Sequence, residues 1–314
     1  MTRLFGTDGV RGIANQKLTP KLCYDIGRAA AFVLTKNKKG KVLVGRDTRL
    51  SGDLVESALI AGFMSLGLDV DVAGVIPTPG VAYLTRTGDY LCGVSISASH
   101  NPFEYNGIKF FSSDGLKLDD SLEDDIEEKV LSTTKIYKDV TGEQVGRVNR
   151  SHEFTEKYIS YLKGLTDERF DGFEVAVDAG NGAQSFIAEE VLKSYGARVK
   201  IINNEPNGKN INDKCGSTNP KLIEELVKKE KSNIGMSFDG DADRIIAVDE
   251  EGKIVDGDHI LAIAATYLKE NNKLNNNAAV GTIMSNMGLK KYLESIGVDF
   301  IETKVGDRYI LERM

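Results

Sequence analysis

Two short segments of this chain bring together residue types that can do chemistry. The first is Ser97-Ala98-Ser99-His100-Asn101-Pro102, followed closely by Asn106-Gly107-Ile108-Lys109. It comes after an apolar strand-like run, so Ser99 is expected at a strand's end, where α/β sheets collect their ligands. A serine there can be a nucleophile, with His100 and Lys109 nearby for proton transfer or charge. Pro102 biases Asn101 towards extended backbone, which suits an ordered projecting loop. Ser97, two residues earlier on the same strand face, is the nearest rival. Taken alone, the segment reads better as a turn rich in small polar residues. A serine hydrolase is disfavoured: there is no G-x-S-x-G elbow, and His152 and His259 sit in no motif.

The second segment is Asp239-Gly240-Asp241-Ala242-Asp243-Arg244, at the end of the apolar run Ile234–Phe238. Carboxylates at alternate positions repel one another unless a cation offsets them. Hard oxygen donors around one centre suit Mg²⁺, which usually keeps positions open for water or phosphate. Arg244 beside them can hold a phosphate bidentately. Asp239, Asp241, Asp243 and Glu250 also match calcium-loop positions, but Arg244 stands where that loop needs Gly, and Ile245–Val248 reads as a strand. A solvated acidic turn is the plain alternative.

Three further segments are weaker. Phe5-Gly6-Thr7-Asp8-Gly9-Val10-Arg11-Gly12 suggests close backbone approach, with Arg11 a candidate phosphate ligand, although a glycine-rich turn is as good a reading. Gly45-Arg46-Asp47-Thr48-Arg49 reads as a loop leading into a helix with local ion pairs. Asp178-Ala179-Gly180-Asn181-Gly182 follows a strand and opens a helix, where an anion can bind, but a structural turn is preferred.

The elements that must position these residues alternate almost from end to end. Lys41–Gly45 reads as a buried strand, and Leu54, Val55, Ala58, Leu59, Gly62, Phe63 and Leu66 then recur on one helical face. Further strands are expected at 70–75, 93–97, 174–178, 199–203, 234–239, 245–249 and 279–283, with helices near 182–195, 220–231, 257–270 and 286–296. This predicts α/β layers with largely parallel, mixed sheets. A helix, a Gly suited to its C′ position and an apolar strand recur at Gly67, Gly196 and Gly297, suggesting three related units. The aperiodic polar stretch 132–150 and the turn at 249–252 divide the chain into units 1–150, 151–252 and 253–314.

Composition bounds the rest. Lys plus Arg number 40 and Asp plus Glu 47, a formal charge of −7, which disfavours a general nucleic-acid binder. No apolar run reaches the ~18 residues of a membrane span, and no signal-peptide core opens the chain, so no membrane partner and a cytoplasmic location are expected. Cys23, Cys92 and Cys215 lack metal-ligand spacing and read as reduced thiols.

Taken in order, these segments resemble the α-D-phosphohexomutase superfamily. SASHNP with its downstream NGxK resembles the phosphoserine loop, and DGDADR the metal loop. The opening FGTDGVRG, Ala242, Pro77-Thr78-Pro79, Cys215-Gly216-Ser217-Thr218 and Val305-Gly306-Asp307-Arg308-Tyr309 resemble its bacterial phosphoglucosamine mutase family in particular. The other mutases usually carry Gly at the position of Ala242. The resemblance implies tandem α/β domains and interconversion of glucosamine 6-phosphate and glucosamine 1-phosphate, for UDP-N-acetylglucosamine and cell-wall precursors. The path would run through phospho-Ser99 and glucosamine 1,6-bisphosphate. It implies Mg²⁺ on Asp239, Asp241, Asp243 and the Ser99 oxygen, and phosphoryl stabilisation by Arg11 and Arg244. It also implies proton or charge roles for His100 and Lys109, and sugar reading by Asp307 and Arg308.

Asn219 departs from the family's usual His, and Asp178-Ala179-Gly180-Asn181 varies a DCAN-like turn. The chain also ends before the family's GEQSGH loop and the fourth, phosphate-clamping domain. Its 314 residues are therefore expected to be an incomplete and slow mutase. A phosphomannomutase or phosphoglucomutase, or a fragment that only binds phosphate and metal, are the alternatives. Oligomeric state, a homodimer included, is left open.

Overall fold

A computed structural model describes residues 3–6, 9–35, 39–132 and 137–314. Thr7 and Asp8 of the glycine-rich opening lie outside the described residues, as do residues 133–136 of the polar stretch.

The first sheet holds β1 (Val10–Ile13), β2 (Lys41–Arg46), β3 (Asp69–Val75), β4 (Cys92–Ile96), β5 (Tyr105–Ser112) and β6 (Val148–Arg150), in the order β1-β5-β4-β2-β3-β6. β2 pairs in parallel with β3 and β4, as β3 does with β6, whereas β5 runs antiparallel between β4 and β1. Around it lie α1 (Pro20–Thr35), α2 (Gly52–Met64), α3 (Thr78–Thr87) and α4 (Asp120–Leu131). The near-continuous apolar runs of β2 and β4 follow from burial on both faces. Val42, Val44, Val94 and Ile96 pack on one side with Ile26, Leu59 and Phe63.

On the other face, Leu43, Ile76 and Leu84 pack with Phe154 and Tyr158 of α5 (Glu153–Lys163) and with Ile187. α5 thus lies against the first sheet although it precedes the strands of the second. That sheet is ordered β11-β10-β9-β7-β8, from β7 (Glu174–Asp178), β8 (Arg198–Ile202), β9 (Ile234–Phe238), β10 (Ile245–Val248) and β11 (Ile254–Val255). β7 is parallel to β8 and β9, and β9–β10 is an antiparallel hairpin. α6 (Ala188–Ser194) and α7 (Lys221–Glu230) accompany it.

The single helix expected over 182–195 is broken. Ala183–Phe186 forms a 3₁₀ turn, and α6 starts only after Ile187. Ile187, between the two at a distorted φ of −119°, is buried beside α5, so packing overrode local periodicity.

The last sheet is the parallel pair β12 (Ala278–Thr282) and β13 (Asp299–Thr303), with α8 (Gly257–Glu270), α9 (Met287–Ser295) and α10 (Asp307–Arg313). Ala265, Leu289, Leu293 and Val298 form its small core. Among the described residues, no helix is long and apolar enough to cross a membrane. Cys23, Cys92 and Cys215 are free and buried, and burial pushes each thiol up to about 12.

Candidate active site

Ser99 stands just past the end of β4, and its backbone is left-handed at φ +54°. Non-glycine residues rarely adopt that conformation without a reason elsewhere in the structure. Its Oγ donates to Asp239 Oδ2 at 2.7 Å and also accepts from Arg244 Nη2. Arg244 further holds Asp239 Oδ2 at 2.6 Å and reaches Nδ1 of His100 at 2.7 Å. The Ser97 hydroxyl is buried and already engaged, donating to Asp47 at 2.6 Å and accepting the Ser99 N–H at 2.8 Å.

The second loop is the turn of the β9–β10 hairpin, with Ala242 also left-handed at φ +54°. It approaches Ser99 so closely that a Cβ on Gly240 would lie 2.7 Å from the Ser99 carbonyl oxygen. Only glycine allows this contact without displacement. One oxygen each from Asp239, Asp241 and Asp243 lies within 4.8 Å of the others.

Lys109 reaches the triad because β5 is antiparallel to β4, with Lys109 opposite Ser95. Cross-strand partners share a face. Lys109 Nζ donates to Asp241 Oδ2 at 2.9 Å and to Asp243 Oδ2 at 3.2 Å. Thr78, the first residue of α3, lies 2.7 Å from the Ser95 hydroxyl and donates to Asp241 through its side chain at 2.8 Å and its backbone N–H at 2.9 Å. Thr78 is a site contact that sequence reasoning took only as part of a family signature. No local pattern points from α3 to a hairpin 163 residues away.

The electrostatics separate Asp239 from Asp241. Burial, reinforced by Asp241 and Asp243, pushes Asp239 up to about 6. Burial also pushes Asp241 up, but Lys109, Thr78 and Arg11 outweigh it and hold the carboxyl below the usual range. Asp241 Oδ1 is buried with no protein partner. An orphaned carboxylate oxygen in a three-aspartate cluster suits a hard divalent cation. Burial and the positive charges of Arg244 and Arg11 lower His100, so its imidazole is neutral at neutral pH. Arg11 lies on β1 opposite Gly107 of β5, which accounts for its influence on both His100 and Asp241.

Asp307 lines a cavity of about 200 Å³ together with Lys109, Asp243, Thr78 and Glu123. Arg308 forms an ion pair with Asp120 of α4 and donates from Nε to Glu312 of α10 at 2.8 Å. The backbone N–H groups after Asp178 are occupied: Asn181 donates to Asn203, Gly182 to Ala179 and Ala183 to Gly240. That segment is therefore a structural turn with no free donors for an anion.

Domain I of the phosphoglucomutase/phosphomannomutase family, α/β/α, matches residues 2–136, domain II residues 156–252 and domain III residues 256–314. The chain belongs to this family of phosphohexomutases. Within it, the relatives are phosphoglucosamine mutases: that of Alkaliphilus metalliredigens is 53% identical over 315 residues and that of Alkaliphilus oremlandii 54% over 316. Each alignment takes in all of this chain and 70% of the relative. A phosphoglucomutase/phosphomannomutase family protein of Burkholderia thailandensis has the same fold, with a TM-score of 0.86 at 22% identity over all of this chain and 68% of that protein.

Proposed function

We infer that this chain acts in phosphoryl transfer on hexosamine phosphates, interconverting glucosamine 6-phosphate and glucosamine 1-phosphate through a phosphoserine at Ser99. The observation that carries this reading is the Ser99 hydroxyl lying 2.7 Å from Asp239 and in contact with Arg244, between two loops 140 residues apart. The substrate comes from the phosphoglucosamine mutase relatives.

In the forward direction, the phosphoryl group leaves Ser99 Oγ for the free 1-hydroxyl of glucosamine 6-phosphate. This yields glucosamine 1,6-bisphosphate and an unmodified serine. After the sugar turns round, Ser99 Oγ takes the 6-phosphoryl group and glucosamine 1-phosphate departs, so no phosphate is gained or lost.

Phosphoryl transfer is governed mainly by alignment and charge neutralisation. The contact of Arg244 with the Ser99 hydroxyl supports a role in holding the oxygens of the moving phosphoryl group, and the position of Arg11 on β1 supports a contribution of positive potential. The one acceptor nitrogen of neutral His100, Nδ1, is engaged by Arg244, so His100 can take the attacking hydroxyl's proton once that hydrogen bond is released to the phosphoryl oxygens. Lys109 is spent as a cation between Asp241 and Asp243. Asp239, Asp241 and Asp243 would hold Mg²⁺, which when bound neutralises charge on phosphoryl oxygens.

The test is to incubate the chain with Mg²⁺ and glucosamine 1,6-bisphosphate and map the phosphate by peptide mass. Phosphate on Ser99 is expected. Phosphate on Ser97 or Ser112 with Ser99 bare would refute the assignment, and parallel assays with mannose and glucose phosphates test the sugar.

A further inference from the structure

Ser99 is held by a side chain that does not belong to the reacting cluster. Arg49 lies in the loop before α2 and is fully buried. Its Nε donates to Asp47 Oδ2 at 2.9 Å. Nη2 donates to the carbonyls of Ser99 at 2.9 Å and Asn101 at 2.8 Å. Nη1 donates to the carbonyls of Pro102 and, at 3.1 Å, Tyr105. All five guanidinium N–H groups therefore have acceptors, and the four carbonyls all lie between Ser99 and the start of β5. Asp47 completes the arrangement, because its Oδ2 also accepts the Ser97 hydroxyl, which in turn accepts the Ser99 N–H.

We propose that Arg49, acting through Asp47 and Ser97, is the positioning residue that locks Ser99 in its left-handed conformation and aims its Oγ at Asp239 and Arg244. Both backbone polar groups of Ser99 end on this one device. Asn212, from the loop after β8, adds a second donor to the Ser99 carbonyl at 2.9 Å. A phosphoryl donor has to be in line with its acceptor, and a displacement of about 1 Å costs on the order of a hundredfold in rate. A residue that prefers other backbone conformations will not keep such alignment without being held. Lysine cannot replace Arg49, because a single ammonium does not span four carbonyls and a carboxylate in one plane.

The rate part of this proposal rests on the phosphoserine reading, while the conformational part does not. The experiment therefore compares the parent chain with Arg49→Lys and Ser97→Ala by two measurements. Amide hydrogen exchange reports the loop, and labelling of Ser99 by glucosamine 1,6-bisphosphate reports alignment, with Mg²⁺ titrated alongside. In Arg49→Lys, amides of residues 97–105 should exchange about tenfold faster while β2 and β4 stay protected, and Ser99 labelling should slow by about tenfold to a hundredfold at unchanged Mg²⁺ affinity. Ser97→Ala, which removes one hydroxyl and keeps the arginine, should show a smaller change of the same kind, and it decides the matter if Arg49→Lys does not fold. Unchanged loop exchange, or a loss of protection spread equally over β2 and β4, would overturn the proposal. A parent chain that takes no label would refute the phosphoserine instead, and the exchange data would still decide the positioning role.

Discussion

Replacing Lys109 with Met should destabilise the chain, and Mg²⁺ should restore much of the loss. Lys109 Nζ lies 2.9 Å from Asp241 and 3.2 Å from Asp243. At an effective dielectric of about 20, those separations correspond to about 6 and about 5 kcal/mol of attraction. Most of this is offset by taking the charges out of water, and removing one partner of a buried pair typically costs roughly 3–5 kcal/mol. Asp243 is about one-third exposed and can recover some hydration, which favours the lower end, about 3 kcal/mol. Asp241 has no such relief, being almost fully buried. A divalent cation on the triad takes over the neutralisation, so the variant should gain more from Mg²⁺ than the parent does. In saturating Mg²⁺ the gap narrows by RT ln of the ratio of the two dissociation constants, so a variant that binds Mg²⁺ about a hundredfold more tightly than the parent recovers about 2.7 kcal/mol of it. The assay is denaturant unfolding of both proteins in EDTA and in saturating Mg²⁺. A gap of the same size in both buffers would refute the reasoning, because Lys109 and the metal would then not share the same carboxylates.

Three other outcomes are expected. Asp241→Asn removes one formal charge and should weaken Mg²⁺ binding about tenfold or more, read by titration, with the fold retained; unchanged affinity would show that Asp241 is not a ligand. Ala242→Gly should raise stability by about 1 kcal/mol, since alanine at φ +54° carries a strain that glycine does not; no gain in unfolding midpoint would count against strain at this turn. Glu123 on α4 is buried, which pushes its carboxyl from the ordinary 4.5 up to about 7. The folded chain therefore holds a proton that the unfolded chain releases. The stabilisation is whole below about pH 4.5 and is lost as pH rises through about 7, so Glu123→Gln should flatten the stability profile over that window, and an unchanged profile would show that Glu123 is ionised in the fold.

Much of this architecture follows from local order in the sequence. Gly67, Gly196 and Gly297 close helices in the left-handed conformation before apolar strands, as their spacing implies. The apolar runs ending at Ile96, Asp178 and Phe238 become strands because buried sheet positions demand continuous hydrophobic residues. Strand ends are also where side chains are free to face a ligand, so the neighbourhoods of Ser99 and Asp239 could be read from the residues alone. The loop at Arg46 was legible in part: its pairs with Asp53 and Glu56 are local, and α2 does follow.

What the sequence could not determine is which distant groups share a hydrogen bond. Thr78 meets Asp241 across 163 residues, Arg49 meets Pro102 across 53 and Ser99 meets Asp239 across 140. Arg308 points to the acids of α4, a direction set by how α10 packs and not by its neighbours in the chain. Periodicity records which face of an element is buried, because burial repeats along the element. A polar contact between two loops occurs once, with no repeat to read, and only the packing of the sheets against each other decides it.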